Sequence, residues 1–505
     1  MRDFDIWRRI LSNALLGLAL VACSATDSVP ADQHPVAAVE LNDVHSRLNA
    51  TVVRELAQPT TTAELSQLLA RARREGLVVS ISGGRHAMGG QQFARDALHL
   101  DMSKFARVIR LDRERGIVTV EAGIGWPALI EELQSMQRGD ARPWSIVQKQ
   151  TGADELSIGG ALSANAHGRG LTWKPFVQEV EAFRLMRADG REIEVSRTQH
   201  PELFRLVIGG YGLFGVVTSV DLRLQRLMKL RRDVVELPLT AFPAAVAQRT
   251  QEGYLYGDFQ FKTDERAQDF LKIGVFSAYR PVPLETPLDP RQRTLGGEEW
   301  RRLFALAHLD KARAYATYRD YYLSTNGQIY LSDTHQLSYY DAAFDTELRQ
   351  LAPDYPPGSL MITELYVPLE ALGKFLDSVA SDFRANDTNL IYGTVRLIRR
   401  DDETFLAWAR RDFACIVMNL RVTHDEAGLL KAETEFQRLI DRALEQAGSY
   451  YLTYHRWARK DQVLAAYPQF VEFLGLKRQY DSEERFQSEW YRHYKAMFAA
   501  ELARP

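Results

Sequence analysis

The chain has 505 residues, of which 46% are hydrophobic, 26% charged and 10% aromatic; this is the make-up of a folded protein with one large or two medium cores, not of a disordered one. Its 63 basic and 66 acidic residues leave a formal net charge of −3, so there is neither the basic excess of a nucleic-acid binder nor an acidic solvating tail. The two cysteines, Cys23 and Cys415, exclude a disulfide scaffold, and with scattered histidines they leave no tetrahedral zinc pattern, so no metal is expected.

Arg8 and Arg9 precede an apolar stretch from about Ile10 to Ala22. That is the length of a signal h-region and short of the ~20 apolar residues that span a bilayer. Leu20-Val21-Ala22-Cys23 resembles a bacterial lipobox, so residues 1–23 are expected to be a signal peptide and Cys23 the lipidated first residue of the mature protein. Arg8-Arg9-Ile10-Leu11 also resembles a twin-arginine signal, with Trp7 where serine or threonine is usual. Both export routes stay open. Ser24 stands in place of a retention aspartate, which points to an exported outer-membrane lipoprotein on the periplasmic face. The mixed, polar residues 24–49 read as a linker.

A first domain is expected over 50–226. Val52-Val53 is a short strand ended by Pro59, and Thr61 and Glu64 have capping-box spacing. Leu65, Leu68, Leu69 and Ala72 then share one helical face, and Gly76 closes the helix. The strand Val78–Ile81 runs straight into Gly83-Gly84, placing a glycine loop at a strand's carboxyl end, where ligands bind in α/β folds. Short strands follow at Ala97–Asp101, Val108–Leu111 and Ile117–Ala122, then a helix at Trp126–Gln137. Val180–Ala188 and Arg191–Val195 form a hairpin around Asp189-Gly190. Strand Val216–Leu224 ends the domain.

From 227 to 449 apolar strands (Tyr254–Phe261, Leu360–Val367, Val395–Ile398, Ala414–Val422) alternate with longer helices (Leu369–Phe383, Glu426–Ala447), which reads as a second, α+β domain. Cys415 lies in one of these strands and reads as a buried, inert thiol. Residues 464–500 are helical and rich in aromatic side chains.

Three stretches carry chemistry. Ser82-Gly-Gly-Arg-His86-Ala-Met-Gly-Gly90 lets backbone N–H groups approach a pyrophosphate closely, and it is neither a Walker A loop nor GxGxxG. Leu156–Gly170 is a long run of small residues punctuated by Ser157, Ser163 and His167, suited to lying against a flat ligand. Gly209-Gly-Tyr-Gly212-Leu-Phe-Gly215 has the same quality.

In this order and spacing the three segments resemble the FAD domain of the vanillyl-alcohol-oxidase type of flavoprotein, nearest to aldonolactone and alditol oxidases, cytokinin dehydrogenases and decaprenylphosphoryl-ribose oxidases. The tail Tyr467-Pro468…Phe473…Tyr480-Asp481…Arg485-Phe486 is similar too. The resemblance implies an α/β plus α+β fold: a PCMH-type FAD-binding domain built from residues 50–226 and a C-terminal segment 450–505, with a substrate or cap domain, 227–449, inserted between them.

It also implies site residues. His86 falls where many members attach the flavin covalently, and a neutral imidazole is a fitting nucleophile. Only one such bond is expected, because 151–170 has no cysteine. Ser82, Gly83, Gly84, Arg85, Ala87 and Met88 would contact the pyrophosphate and flavin. Gly152, Ser157, Gly160, Ser163, His167 and Gly168 would line the other side, and Gly215 and Val216 the adenine end.

The substrate side departs from the family. Where aldonolactone oxidases carry Glu-x-Arg, this chain has Thr394-Val395-Arg396, and Tyr454 stands where ribose oxidases place a lysine. Asp154 is close to the cytokinin dehydrogenases' aspartate but out of register. Arg396 and His455 are expected to stabilise charge, Tyr451 or Tyr454 to orient the substrate, and Glu364 to face a pocket strand. The activity implied is hydride transfer from a C–OH or C–N carbon of a small molecule to FAD, with dioxygen or another electron acceptor taking the electrons onward. A polyprenyl-sugar oxidase with non-covalent FAD, and a lipid-anchored binding protein without turnover, are the alternatives.

Overall fold

In the computed structural model, which describes residues 38–503 apart from 151, 342 and 343, Thr61 caps the helix Thr62–Arg74 by accepting from Glu64 N at 3.1 Å. Glu64 turns to Thr60 N, at 2.8 Å, and not to Thr61 N, so the expected box is displaced by one residue. The helix buries Leu65, Leu69 and Ala72 in a cluster with Val79, Leu98, Leu100 and Phe486. Beneath it lies a parallel sheet in the order Glu55–Ala57, Leu98–Asp101, Val79–Ser82. The glycine loop therefore starts at the carboxyl end of an outer strand of a parallel sheet, as expected.

The signal peptide, lipobox and Cys23 lie outside the described residues. The linker expected over 24–49 is corrected at its end. Val39–Leu41 pairs antiparallel with Thr51–Val53, and Asp43 closes the turn between them by accepting from His45 N, Ser46 Oγ and Asn49 Nδ2. A buried carboxylate satisfied by its own loop orders this segment, and no hydropathy period announces such a turn.

A second sheet is antiparallel, in the order Glu192–Ser196, Val180–Met186, Val216–Arg223, Ile117–Glu121, Val108–Asp112. Its hairpin turns at Gly190, whose φ of +78° suits glycine. The third sheet has eight antiparallel strands: Ile329–Leu331, Lys229–Pro238, Ile273–Val282, Tyr256–Phe261, Leu390–Ile398, Phe413–Thr423, Gly358–Val367 and Ser449–Tyr450. The helix Glu426–Glu445 packs on it, burying Phe436, Leu439 and Ile440. Mixed parallel and antiparallel layers with helices match the expected mixed class. The boundary expected after 226 is not a break in packing, however: one hydrophobic cluster takes in Val118 and Phe176 together with Phe259, Ile416 and Phe470. Among the described residues no helix is long and apolar enough to cross a membrane.

The tail bonds directly to the first sheet. Arg485 O accepts from Val79 N at 2.7 Å, Gln487 N donates to Val79 O at 2.9 Å, and Phe486 bridges the same strand. Phe473 and Tyr480 pack edge-on against Phe214, within the third glycine segment.

Candidate active site

The glycine segments meet along one cleft of about 1340 Å³, open solvent included. Ser82, Gly83, Gly84, Arg85, His86 and Ala87 line it, as do Gly152, Ser157, Gly160, Ser163 and His167, and Gly215 from the third segment. The first two loops touch edge to edge: a Cβ on Gly83 would overlap Ser157 Oγ, and one on Gly84 the carbonyl oxygen of Glu155. Side chains are absent here because the backbones themselves form the wall. Ser82 contributes backbone to it, since its hydroxyl bonds His99 Nε2 at 2.8 Å. Ser157 Oγ caps the short helix Ile158–Ala164 by accepting from Gly160 N.

His86 has a partner that sequence reasoning missed. Its Nδ1 lies 2.9 Å from His45 Nε2, and His45 packs edge-on against Tyr340. Burial lowers the His86 pKa to about 4, with Arg85 and Lys149 acting in the same direction against Asp43. Burial, then His86, lowers His45 to about 3. Both rings are therefore neutral at pH 7. Nδ1 of His86 is engaged, which leaves Nε2 for other chemistry. Forty-one residues separate the two histidines, and no local signal linked them.

The cleft's polar wall comes from the eight-stranded sheet. Thr394 and Glu364 lie on separate strands, and each is opposite Val417 of the strand between them. Thr394, which the resemblance aligned with a glutamate, is fully buried and donates to Phe259 O at 3.2 Å. The carboxylate is instead two strands away, on Glu364, which lines the cleft. Glu364 Oε2 accepts from His167 Nε2 at 3.0 Å and from Tyr366 OH at 2.9 Å, and Oε1 from Tyr454 OH at 2.9 Å. Burial raises its pKa, but the His167 charge and hydrogen bond, then Arg396 and Tyr454, outweigh that and hold it at about 2. Burial, then Glu364, pushes the Tyr454 hydroxyl well up, so it stays a donor.

Arg396 and Tyr451 also line the cleft. Arg396 Nε is buried with no hydrogen-bond partner, whereas the Tyr451 hydroxyl is committed to Ala164 O at 2.6 Å.

Four expected residues are corrected. His455 is a core side chain, wedged against Phe436, Trp457 and Tyr450 with neither ring nitrogen bonded, and it does not line the cleft. Met88 is buried in the main cluster, and Val216 in the cluster under the first helix. Gly168 turns its N–H to Gln148 Oε1 and its carbonyl to His167 Nδ1. Each sits one residue beyond a cleft-lining neighbour, where the chain has turned inward. Asp154 pairs with the buried Lys149 at 2.7 Å. Gln150 was missed: it lines the cleft, and its Nε2 is buried without a partner.

The family described as FAD binding domain matches residues 54–196. Residues 54–196 are an FAD-binding domain. The resemblance to FAD-linked oxidoreductases of the vanillyl-alcohol-oxidase type is thereby borne out at the level of this domain. Over 167 residues the chain is 29% identical to L-gulonolactone oxidase of Mus musculus, covering 33% of this chain and 36% of that protein. Over 170 residues it is 28% identical to the mitochondrial L-galactono-1,4-lactone dehydrogenase of Arabidopsis thaliana, covering 34% and 27%. Over 177 residues it is 28% identical to L-gulono-1,4-lactone dehydrogenase of Mycobacterium tuberculosis, covering 35% and 39%. The chain thus spans less than two fifths of the length of these relatives.

The cleft next to this FAD-binding domain fits the cofactor. Two loops give it a wall free of side chains, and Gln150 Nε2 and Arg396 Nε are buried polar atoms short of partners.

Proposed function

We propose that the chain is an FAD-dependent oxidoreductase that removes a hydride from a C–OH carbon of a small polyhydroxylated substrate of the aldonolactone type. One observation carries this reading: Glu364, Tyr454 and Arg396 line the same cleft as the glycine loops of the FAD-binding domain. The names of the relatives support the substrate class. When bound, FAD supplies the hydride acceptor. The loops 82–87 and 152–163 would hold it, with Gln150 Nε2 as a side-chain donor. His86, neutral and with Nε2 uncommitted, would carry the covalent link. The eight-stranded half, which contributes Glu364 and Arg396, would be the inserted substrate domain.

Glu364 would accept the hydrogen bond of the reacting hydroxyl, in line with Tyr454. A carboxylate held at about 2 is a weak base for an alcohol. It is nevertheless strong enough for the proton of a forming carbonyl, which grows far more acidic than any carboxylic acid as the C–H bond breaks. Arg396, with a donor to spare, would stabilise negative charge beside the substrate.

Protein made with ample riboflavin should be yellow, should keep its colour in the acid precipitate, and should bleach with an aldonolactone. Reoxidation in air distinguishes an oxidase from a dehydrogenase. Glu364→Gln should keep the flavin but lower kcat by about 10²–10⁴-fold. Colourless folded protein, or turnover indifferent to Glu364→Gln, overturns the proposal.

A further inference from the structure

We infer that His167, Glu364 and Cys415 form a binding site for one thiophilic divalent cation of the zinc type. His167 Nε2 and Glu364 Oε2 are 3.0 Å apart, and Cys415 Sγ lies 3.5 Å from the first and 3.7 Å from the second. Tetrahedral zinc with N and O at about 2.0–2.1 Å and S at about 2.3 Å sets neighbouring ligand atoms roughly 3.3–3.6 Å apart. The three atoms already stand near those separations, so a cation needs shifts of only a few tenths of an ångström. Among the described residues this is the one such convergence of His, Cys, Asp or Glu side chains, and all three members are buried.

Both oxygen and nitrogen ligands are oriented from behind. His167 Nδ1 donates to Gly168 O at 2.9 Å, which aims Nε2 at the site, and Tyr454 OH holds Oε1 of Glu364 so that Oε2 faces it. The strand pairing brings the third ligand. Cys415 lies opposite Tyr366, two residues along from the Glu364–Val417 pair, so Cys415 and Glu364 share a face of the sheet. Thiolate, imidazole and carboxylate together suit zinc or cadmium better than magnesium or calcium.

Entry of the cation displaces two protons to solvent, one from Sγ and one from Nε2. The resulting thiolate, carboxylate and neutral imidazole carry two negative charges against the cation's two positive ones. Because uptake releases these protons, affinity rises with pH. Arg396, whose charge bears on both Glu364 and Cys415, opposes the cation and keeps affinity below that of a four-ligand structural site. The fourth position would be a water on the cleft side, where His167 and Glu364 are lining residues. Occupancy would also take the Glu364 lone pair and so inhibit turnover. That consequence rests on the proposed function, whereas metal uptake does not.

The full chain with its flavin, stripped by chelator, is equilibrated with ZnCl₂ alone at several pH values. One equivalent should survive gel filtration, held more tightly as pH rises, with one sulfur in the zinc shell by X-ray absorption. Cys415→Ser and His167→Gln, checked for folding by flavin absorbance and unfolding midpoint, should each weaken binding by more than the roughly 100-fold typical of changes beyond the ligands. No retention by the wild type, or retention by Cys415→Ser at wild-type affinity, overturns the site. Zinc-loaded protein that still turns over at full rate leaves the site standing and removes Glu364 from the mechanism.

Discussion

Glu364 shows how a single side chain couples chemistry to stability. Its ordinary pKa of 4.5 falls to about 2 in the fold, so the stabilisation it brings is complete above pH 4.5 and is lost as pH falls towards 2. His45 and His86 drop from 6.5 to about 3 and about 4. A histidine buried in neutral form favours the fold above its unfolded pKa, and that contribution is lost as pH falls from 6.5 towards 4 for His86 and towards 3 for His45. Acid should therefore weaken the protein in two windows that open at different pH and overlap at their acid ends. Thermal midpoints measured against pH check this: wild type should begin to lose its margin over His45→Gln as pH falls below 6.5, and over Glu364→Gln only as it falls below 4.5. Coincident onsets would contradict the assignment. Glu364 was visible in the sequence only as one strand residue among several. Its role became clear once His167, 197 residues away, was seen beside it.

At the scale of elements, glycines at different places should behave in opposite ways. Gly84 faces the Glu155 carbonyl, which is backbone and cannot swing aside. Gly84→Ala should destabilise the protein by about 1–3 kcal/mol through overpacking and reduce flavin loading. Gly475 lies inside the helix Phe470–Tyr480, with an ordinary backbone angle and nothing within 4 Å of the place an alanine methyl would take. Gly475→Ala should stabilise by about 0.5–1 kcal/mol, with flavin content unchanged. Denaturant unfolding and the ratio of flavin to protein absorbance decide both. The density of glycine in the loops was legible from sequence, but which glycines touch backbone and which touch solvent was not.

Across the whole molecule, the tail decides whether the cofactor loop is anchored. Lys477 and Asp481 form a fully buried ion pair, and Asp481 also accepts from Arg485 N and Phe486 N. Those residues bond the strand Val79–Ser82, which runs directly into Gly83 and Gly84. Lys477→Met leaves Asp481 without its counter-charge and should cost about 3–5 kcal/mol. Because the damage passes to the loop, the flavin should lose its packing and brighten in fluorescence well before global unfolding. Calorimetry together with flavin fluorescence on heating tests this; a single transition at the wild-type midpoint would show that the tail is dispensable to the loop.

Local order came from sequence because its causes are local. Thr61 caps a helix, Gly190 turns a hairpin, and three runs of small residues mark backbone meant to lie against a ligand. None of these depends on a distant partner. Only the tertiary structure decided that His45 supports His86, that a carboxylate reaches the cleft from Glu364 instead of Thr394, and that His455 is core. Each of these is a contact across sheets or between strands, and the periodicity of a chain says which face a residue takes but not what meets it there.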